Sequence, residues 1–504
     1  MQFRFSKSRW LIGFLPLVVF AALDNNAAKI KSGTWTPLQN QPSFAAAHVL
    51  LLTDGTVICQ ELETSNWHRL RPDKHGSYVN GTWEQIGSLP SGYAPLYYAS
   101  AVLADGRVVI AGGEFNFAGT GATNLAAIYN PKRNVWSPFS GPPGWANIAD
   151  AQSVVLPDKR WMLANAFTSE SAALDPKTLE WTILSPNGKA DLNDEEGWNL
   201  LPDGTVLAVD IGNFPNSERY FPSMNMWMSA GTTGVSLTDF TSFEIGPAVL
   251  RPDGTIFQVG VCRLDSNGLC TTPAHTAIFD PPEDVNGLGA WTVGPDLPDG
   301  LDVSDGPASI LPDGNVLIMS SPGSTQPGAV FLEFDGKKIE QVASPANAQQ
   351  MIAYFGNMLV LPTGQILLTA FSNDVEIYTP RGKARPSWAP SIEDAPLLVN
   401  PGATYKISGT KFNGLSTGAS YGDDAQMNTN YPLVRFTSLG SKHVSYWRTH
   451  DHSTMAVSTG HRKVSTQFDV PDDSEAGPGF LSVVANGIPS EPRFVVVLPN
   501  KGRN

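Results

Sequence analysis

Acidic and tyrosine side chains recur at one position of a repeated sequence pattern. Seven turn sequences of the Asp-Gly type mark the pattern, and fourteen residues lie eight or nine positions before these turns. Five of the fourteen are carboxylates and two are tyrosines, whereas 47 Asp and Glu among 504 residues would place roughly one or two carboxylates there. These seven residues are Asp150, Asp194, Glu195, Glu244, Asp305, Tyr97 and Tyr354.

Carboxylates that converge on one place raise one another's pKa unless a cation or a basic partner lies among them. The recurrence therefore indicates a site for a metal ion, or for hydroxyl-rich or cationic ligands. The alternative is that these side chains only accept hydrogen bonds from backbone and water.

A second candidate is the pair His450 and His452, two residues apart in the sequence RTHDHS. On an extended strand, side chains at this spacing point to the same face, as two metal ligands must. Imidazole with carboxylate suits Zn, Mn or Fe, whereas carboxylates and carbonyls alone suit Ca. The alternative is a hairpin whose polar tip only satisfies hydrogen bonds.

The elements that must position these residues follow from the repeat. Each unit has an apolar run, a turn and a second apolar run, as in AVLADGRVVIAGG, and the turns are 45 to 60 residues apart. Asp-Gly between two β-prone runs predicts a hairpin with a type I′ turn. Most hairpins are followed by a strand with a tryptophan, and four strands in about fifty residues form a kelch-type propeller blade. The turn residues are Asp54, Asp105, Asp158, Asp203, Asp253, Asp313 and Thr363.

Seven units predict a seven-bladed kelch-type β-propeller over residues 33–382, in which the strand around Trp35 completes the last blade. The inner strands of the blades line a central channel, so the acidic positions should meet at one end of it. Beyond a Pro-rich linker, short strands over residues 395–500 have the size of an immunoglobulin-like β-sandwich. The predicted fold class is all-β.

The N-terminus and the charge limit location and partners. Residues 1–28 combine basic residues with a 14-residue apolar run, which predicts a signal peptide and a secreted or extracytoplasmic chain. No other segment approaches the length of a membrane span. A net charge of −14 argues against nucleic acid as a partner, and we expect a monomer. Cys262 and Cys270 bracket a short loop that one disulfide could close, which such a compartment permits.

These features resemble the secreted copper radical oxidases of the galactose oxidase and glyoxal oxidase type, which pair a kelch-type propeller with a C-terminal early-set domain. The most specific stretch is GASYGDDAQMNTNYPLVRFTS, followed by YWRTHDHSTMAVSTG. The resemblance implies that Tyr97 matches the radical tyrosine and Tyr354 the axial tyrosine of the copper site. It also implies that Phe115 is the stacking aromatic and that His450 is the histidine a sandwich hairpin inserts into the channel.

Two positions depart from the family pattern. Ala46 stands where the cross-linking cysteine is expected, and Phe355 replaces a histidine. Copper is therefore a doubtful cofactor, because Cu(II) loses the nitrogen-rich field that it prefers. We expect a protein that binds or acts on carbohydrate or a similar small polar ligand at the propeller axis, through the acidic residues, Phe115 and Phe355. The alternative is a divergent copper or other metal oxidase of sugars, alcohols or aldehydes.

Overall fold

A computed structural model describes residues 33–499 except 118, 120, 240, 241 and 425. The predicted signal peptide lies outside the described residues. Strands dominate the described chain, and its helical turns are the 3₁₀ segments Ala348–Gln350, Ala353–Phe355 and Pro386–Trp388. None of its helices is long and apolar enough to cross a bilayer.

The strands of the N-terminal part run from β1 to β30. They are β1 (Thr34–Pro37), β2 (Ala46–Leu51), β3 (Val57–Glu61), β4 (Trp67–Arg71), β5 (Thr82–Gln85), β6 (Pro95–Leu96), β7 (Ala99–Val102), β8 (Val108–Ala111), β9 (Phe115–Asn116), β10 (Ala126–Asn130), β11 (Val135–Phe139), β12 (Ser153–Val155), β13 (Trp161–Ala164), β14 (Ser171–Asp175), β15 (Glu180–Ile183), β16 (Asn199–Leu200), β17 (Val206–Val209), β18 (Asn216–Phe221), β19 (Met226–Thr232), β20 (Ala248–Leu250), β21 (Ile256–Val259), β22 (Thr276–Asp280), β23 (Ala290–Val293), β24 (Ala308–Ile310), β25 (Val316–Ser320), β26 (Val330–Phe334), β27 (Ile339–Gln341), β28 (Asn357–Val360), β29 (Ile366–Thr369) and β30 (Glu376–Thr379).

The strands of the C-terminal part run from β31 to β41. They are β31 (Ser391–Asp394), β32 (Leu398–Val399), β33 (Thr404–Thr410), β34 (Ala419–Ser420), β35 (Leu433–Ser438), β36 (Val444–Trp447), β37 (Thr449–His450), β38 (Val464–Asp469), β39 (Gly477–Ala485), β40 (Ile488–Pro489) and β41 (Arg493–Val497).

Four-stranded antiparallel sheets build the N-terminal part. Within the described residues they are β2–β5, β7-β8-β10-β11, β12–β15, β16–β19, β20–β23, β24–β27, to which β34 adds a fifth strand, and β28-β29-β30-β1. The last sheet is completed by the N-terminal strand, with Trp35 opposite Tyr378. The first strands of these sheets, β2, β7, β12, β16, β20, β24 and β28, contact one another in a closed cycle. Sheets arranged in this way are consistent with a β-propeller.

The predicted hairpins are present, but their turn type differs from the prediction. At the first turn the Gly55 amide donates to the Leu52 carbonyl oxygen (2.9 Å), and of the turn residues Gly55 has the positive φ, 75°. Asp54 Oδ1 accepts the Thr56 amide at 3.0 Å. This is a three-residue loop with a left-handed glycine, and not a type I′ turn with two left-handed residues. The aspartate holds the loop through its side chain, which explains why Asp precedes Gly in the repeat.

Two sheets with a core of their own form the C-terminal part. One has the order β31-β33-β38-β37 and the other the order β32-β41-β39-β35-β36, with β40 beside β39. Side chains from both sheets, including Ile407, Phe468, Phe436 and Val483, form one buried cluster. We refer to these strands, without β34, as the two-sheet unit.

The two-sheet unit covers the hairpin-turn end of the inner strands. Tyr446 packs against Gly55, Arg448 Nη2 donates to the Asp105 carbonyl oxygen (2.6 Å), and Thr454 Oγ1 donates to that of Pro157 (3.0 Å). Residues eight or nine positions before the turns lie at the other end of the same strands. The acidic positions therefore face away from the two-sheet unit.

A disulfide joins Cys262 and Cys270, whose Cα atoms are 5.5 Å apart, and it closes the short loop that the sequence indicated. Cys59 is free and fully buried on β3. Burial raises the pKa of its thiol, so Cys59 is an apolar core residue and not a nucleophile.

Candidate functional site

Carboxylates from the segments before several inner strands, and from the C-terminal part, converge at the end of the channel that faces away from the two-sheet unit. Two overlapping triads have oxygen atoms that all lie within 4.8 Å of one another, namely Asp150 with Glu195 and Asp423, and Glu195 with Glu244 and Asp305. Glu195 belongs to both triads. We call the group formed by Tyr97, Asp150, Glu195, Glu244, Asp305, Tyr354, Phe355, Phe371 and Asp423 the axial mouth.

The backbone of the axial mouth is held in an uncommon conformation at repeat-equivalent positions. Tyr97, Glu195 and Asp305 each lie eight residues before their turn, and each has a positive φ, 52°, 58° and 48° respectively. Bulky residues rarely adopt this left-handed region, and such residues cluster at functional sites. At these three positions the backbone bends just before an inner strand begins.

Burial and mutual repulsion raise the pKa of the mouth carboxyls. Burial is the main cause at Glu195, and the charges of Asp423, Asp150 and Asp305 raise its pKa further. The pKa values of Asp150, Glu244, Asp305 and Asp423 are also raised well above the ordinary range, again chiefly by burial. The cluster therefore favours bound protons, a cation or hydrogen-bond donors over free negative charge.

Aromatic rings form the wall beside the acids. The Tyr97 ring centroid is 5.7 Å from that of Tyr354 and 6.2 Å from that of Phe371. Phe355 stacks on Phe371 at 5.0 Å. All four residues are half-buried. The sequence did not indicate Phe371, because this residue follows its hairpin and the repeat positions compared all precede the turns.

A segment of the C-terminal part enters the channel and supplies the remaining residues. This channel insert, residues 411–432, connects β33 to β35 and contains β34, which pairs with β24. Tyr421 Oη donates to the Tyr354 carbonyl oxygen at 2.7 Å. Asp423 and Asp424, which follow, are both buried. Nothing in the repeat register predicts that the stretch GASYGDD lies in the channel.

The structure does not bring His450 or His452 to the axial mouth. His450 lies on β37 of the two-sheet unit, where Nδ1 is 2.9 Å from Asp451 Oδ2 and Nε2 is 3.1 Å from Asp469 Oδ1. His452 is buried with Nδ1 2.9 Å from Thr466 Oγ1, and burial lowers its pKa to about 3. The placement of His450 in the channel is thus corrected: the inserted hairpin carries tyrosine and aspartates instead.

The other predicted residues lie around the mouth. Phe115 on β9 pairs with Leu96, so its backbone is next to Tyr97. Asp194 is close enough to Asp150 and Glu195 to raise the pKa of both carboxyls. Behind Tyr97 a small cavity of about 20 Å³ is lined by His48, Asn357 and Asp424, among others. Such a volume holds about one water molecule.

The residues that meet here do not match the copper set that the resemblance implies. Tyr97 and Tyr354 are adjacent, but Ala46 and Phe355 supply no thiol or imidazole. His48 lines the cavity behind Tyr97, and both its ring nitrogens are in hydrogen-bond reach of partners, Asn357 Oδ1 at 3.4 Å and Ser100 Oγ at 2.8 Å. Among the residues described, the donors grouped at the mouth are oxygen atoms, which is not the nitrogen-rich set Cu(II) prefers.

A buried lysine supports the loop that carries Glu195. Lys189 Nζ lies 2.7 Å from Asp191 Oδ1, 2.7 Å from Glu196 Oε1 and 2.6 Å from Glu218 Oε1. These three acids and Asp210 form a second carboxylate group. Because a lysine ammonium already lies among the acids, this second group is a structural ion cluster.

No family model matches the sequence, and no curated protein matches it. The fold is similar to that of a fungal alcohol oxidase of the AA5 family in complex with copper, with a TM-score of 0.52 and 14% identity over 93% of this chain and 100% of that chain. A virginiamycin B lyase from Staphylococcus aureus has a TM-score of 0.45 and 9% identity over 69% and 98% of the two chains. An extracellular domain of a one-component system from B. thetaiotaomicron has a TM-score of 0.45 and 10% identity over 93% and 58%. At such identities the similarity to the oxidase concerns the fold alone.

Proposed function

We propose that the chain is a secreted galactose-oxidase-like protein that binds carbohydrate or a similar small polar ligand at the axial mouth and is not a copper-radical oxidase. Its architecture is proposed as a seven-bladed kelch-type propeller over residues 33–382 and an immunoglobulin-like sandwich over residues 395–500. The closed cycle of inner strands and the separate core of the two-sheet unit support this architecture. The disulfide between Cys262 and Cys270 is compatible with an extracytoplasmic location.

One observation carries the ligand proposal: an acidic cluster lies beside half-buried aromatic rings at one end of the channel. Carboxylates such as Asp150 and Glu195 accept hydrogen bonds from hydroxyl groups. Rings such as Phe371 and Tyr97 offer apolar faces to the C–H surface of a sugar. A few convergent polar groups beside apolar walls are typical of a small-molecule site.

The test is binding of the secreted chain to a glycan array, followed by calorimetry with the best ligand. Phe371→Ala removes a ring of the wall, and we expect affinity to fall about tenfold, since a ring contact contributes about 0.5–1.5 kcal/mol beyond its area. Asp150→Asn should weaken binding similarly. Glu180→Gln, an exposed acid on outer strand β15, is the matched control and should bind as the wild type does.

The alternative function is a divergent oxidase, and the contact between Tyr97 and Tyr354 is the observation in its favour. Copper loading of the same preparation decides between the two. Stoichiometric copper with peroxide release from sugars, alcohols or aldehydes would overturn the binding proposal. Ligand binding with no peroxide would support it.

A further inference from the structure

We propose that the axial mouth binds a hard divalent cation of the calcium or manganese class, with Glu195 as the central ligand. The two carboxylate triads share this residue, so Glu195 coordinates the ion in whichever triad the ion occupies. This site is distinct in residues and in metal class from the copper site of the family resemblance. It is also independent of the sugar proposal, because the cation can be titrated alone.

The geometry of the oxygen atoms is the first argument. Three carboxylate oxygens that are all within 4.8 Å of one another can surround one ion at the 2.3–2.6 Å distances that Ca²⁺ adopts with oxygen. Each triad meets this condition with residues from different elements, Asp423 from the channel insert and Asp305 from the segment before β24. An oxygen-only donor set selects hard cations over copper or zinc.

Unsatisfied buried oxygens are the second, independent argument. Asp305 is 3% exposed and Asp423 is 2% exposed, yet no N–H or hydroxyl group of the described residues donates to Asp305 Oδ1 or to Asp423 Oδ2; the side chain that Asp305 contacts is the carboxyl of Glu244 in the same triad. Buried polar atoms nearly always have a partner, and an unsatisfied one needs an explanation such as an ion. Asp423 belongs to one triad and Asp305 to the other. A bound cation would be coordinated by these oxygens and would neutralise the negative charge of the cluster.

The second carboxylate group shows by contrast how the fold neutralises buried acids. Asp191, Glu196 and Glu218 surround the ammonium group of Lys189. Neither triad of the mouth includes a bridge to lysine or arginine among the ion pairs of the described chain. The chain therefore neutralises the second carboxylate group with its own lysine, whereas the triads of the axial mouth have no such internal cation and would bind one from solution.

The experiment titrates the sugar-free, metal-stripped protein with Mn²⁺ and measures the free ion by electron paramagnetic resonance. A second titration with Ca²⁺ is measured by calorimetry. We expect saturable binding with a dissociation constant of about 1 mM or tighter, the range of extracellular calcium modules. Glu195→Gln should weaken it at least about tenfold. Asp210→Asn, a buried acid of the lysine-filled group, is the matched control and should bind as the wild type does.

Folding of the variants is checked by thermal unfolding with and without Ca²⁺. Calcium should raise the melting temperature of the wild type and of Asp210→Asn, but not that of Glu195→Gln. A wild type that shows no saturable binding, or a Glu195→Gln variant that binds Mn²⁺ like the wild type, would overturn the proposal. Glycan binding that persists in a chelator would leave the sugar proposal standing, so the two failures are distinguishable.

Discussion

Lys189 Nζ lies 2.7 Å from Glu196 Oε1, and both side chains are completely buried. Burial lowers the pKa of the lysine, but the charges of Glu196, Glu218 and Asp191 outweigh it, so the net shift is upward and Lys189 stays charged. Glu196 directly follows Glu195 in the chain. The ion cluster in the sheet β16–β19 thus fixes the backbone that presents the central acid of the axial mouth.

Replacing Lys189 by methionine should destabilise the protein strongly. The change removes the ammonium group and leaves three buried carboxylates without their cation, and breaking a buried pair in this way costs about 3–5 kcal/mol. The free energy of unfolding from a denaturant titration measures the loss. Lys338→Met, at an exposed pair with Glu340, is the control and should change stability little. Equal stability of the two variants would contradict the role given to Lys189.

Asp210→Asn should make the protein more stable at alkaline pH. Burial, with the charges of Glu218 and Asp191, raises the pKa of this carboxyl from 3.8 to about 7. Because the folded state binds the proton more tightly, the stabilisation is complete below about pH 4 and is lost as pH rises through 7. Asparagine does not ionise, so the variant avoids this loss, which reaches at most about 4 kcal/mol. Melting temperatures at pH 5 and pH 8 check the prediction: the advantage of the variant should be clearly larger at pH 8 than at pH 5.

The repeat register predicted a large part of the axial mouth because equivalent positions of a closed ring of strands meet at its axis. Tyr97, Asp150, Glu195 and Asp305 could be found in this way from the sequence alone. The register cannot find Tyr421 or Asp423, since the channel insert belongs to no repeat and reaches the mouth through tertiary contacts. Alternation along a strand also predicted that His450 and His452 share one face, but β37 ends at His450 and Asp451 is left-handed, so the alternation does not continue to His452.

The four-stranded antiparallel sheets were predictable for the same reason. Asp-Gly turns at intervals of 45 to 60 residues mark the hairpins, and the pairing of Trp35 with Tyr378 agrees with the predicted closure by the N-terminal strand. The exact turn type was not predictable from the dipeptide, because Asp-Gly fits both a two-residue loop and a three-residue loop. The hydrogen bond from Gly55 to Leu52 distinguishes them.

Removing the disulfide should lower stability by about 2–3 kcal/mol, the loop-closure value for a short loop. The variant is the double substitution Cys262→Ala and Cys270→Ala, which leaves the free Cys59 unchanged. Chemical denaturation of the oxidised wild type, the reduced wild type and the double variant measures the effect. The double variant should match the reduced wild type, and an effect of reduction on the double variant itself would point to another cause.

His450→Asn should leave ligand and cation binding unchanged. The imidazole lies beside Asp469 in the two-sheet unit, and burial there is outweighed by hydrogen bonds from Thr404, Lys132 and His450, which hold the pKa of Asp469 at about 2. The pair is partly exposed, so we expect a loss of stability of no more than about 1 kcal/mol. Calorimetry with Mn²⁺ or Ca²⁺ and the best glycan checks the prediction. A large loss of either affinity would show that His450 does contribute to the binding site.

Gly422→Ala should damage the axial mouth more than its single methyl group implies. Gly422 lies in the channel insert against Asp305, and a Cβ at this position would lie 2.8 Å from Asp305 Cα and would overlap Oδ1 of the same residue. Asp305 has little freedom to move, because its backbone is left-handed and its amide donates to the Ile245 carbonyl oxygen at 3.1 Å. The insert must therefore shift, and Asp423 shifts with it.

We expect both ligand and cation affinity to fall by about tenfold or more, while the free energy of unfolding falls by about 1–3 kcal/mol. Gly440→Ala is the matched control, because Gly440, like Gly422, is not left-handed and a Cβ there lies 3.6 Å from its nearest neighbour, Glu475 Oε1; this variant should change neither affinity. Unchanged binding in Gly422→Ala would show that the contact between the insert and Asp305 does not shape the site.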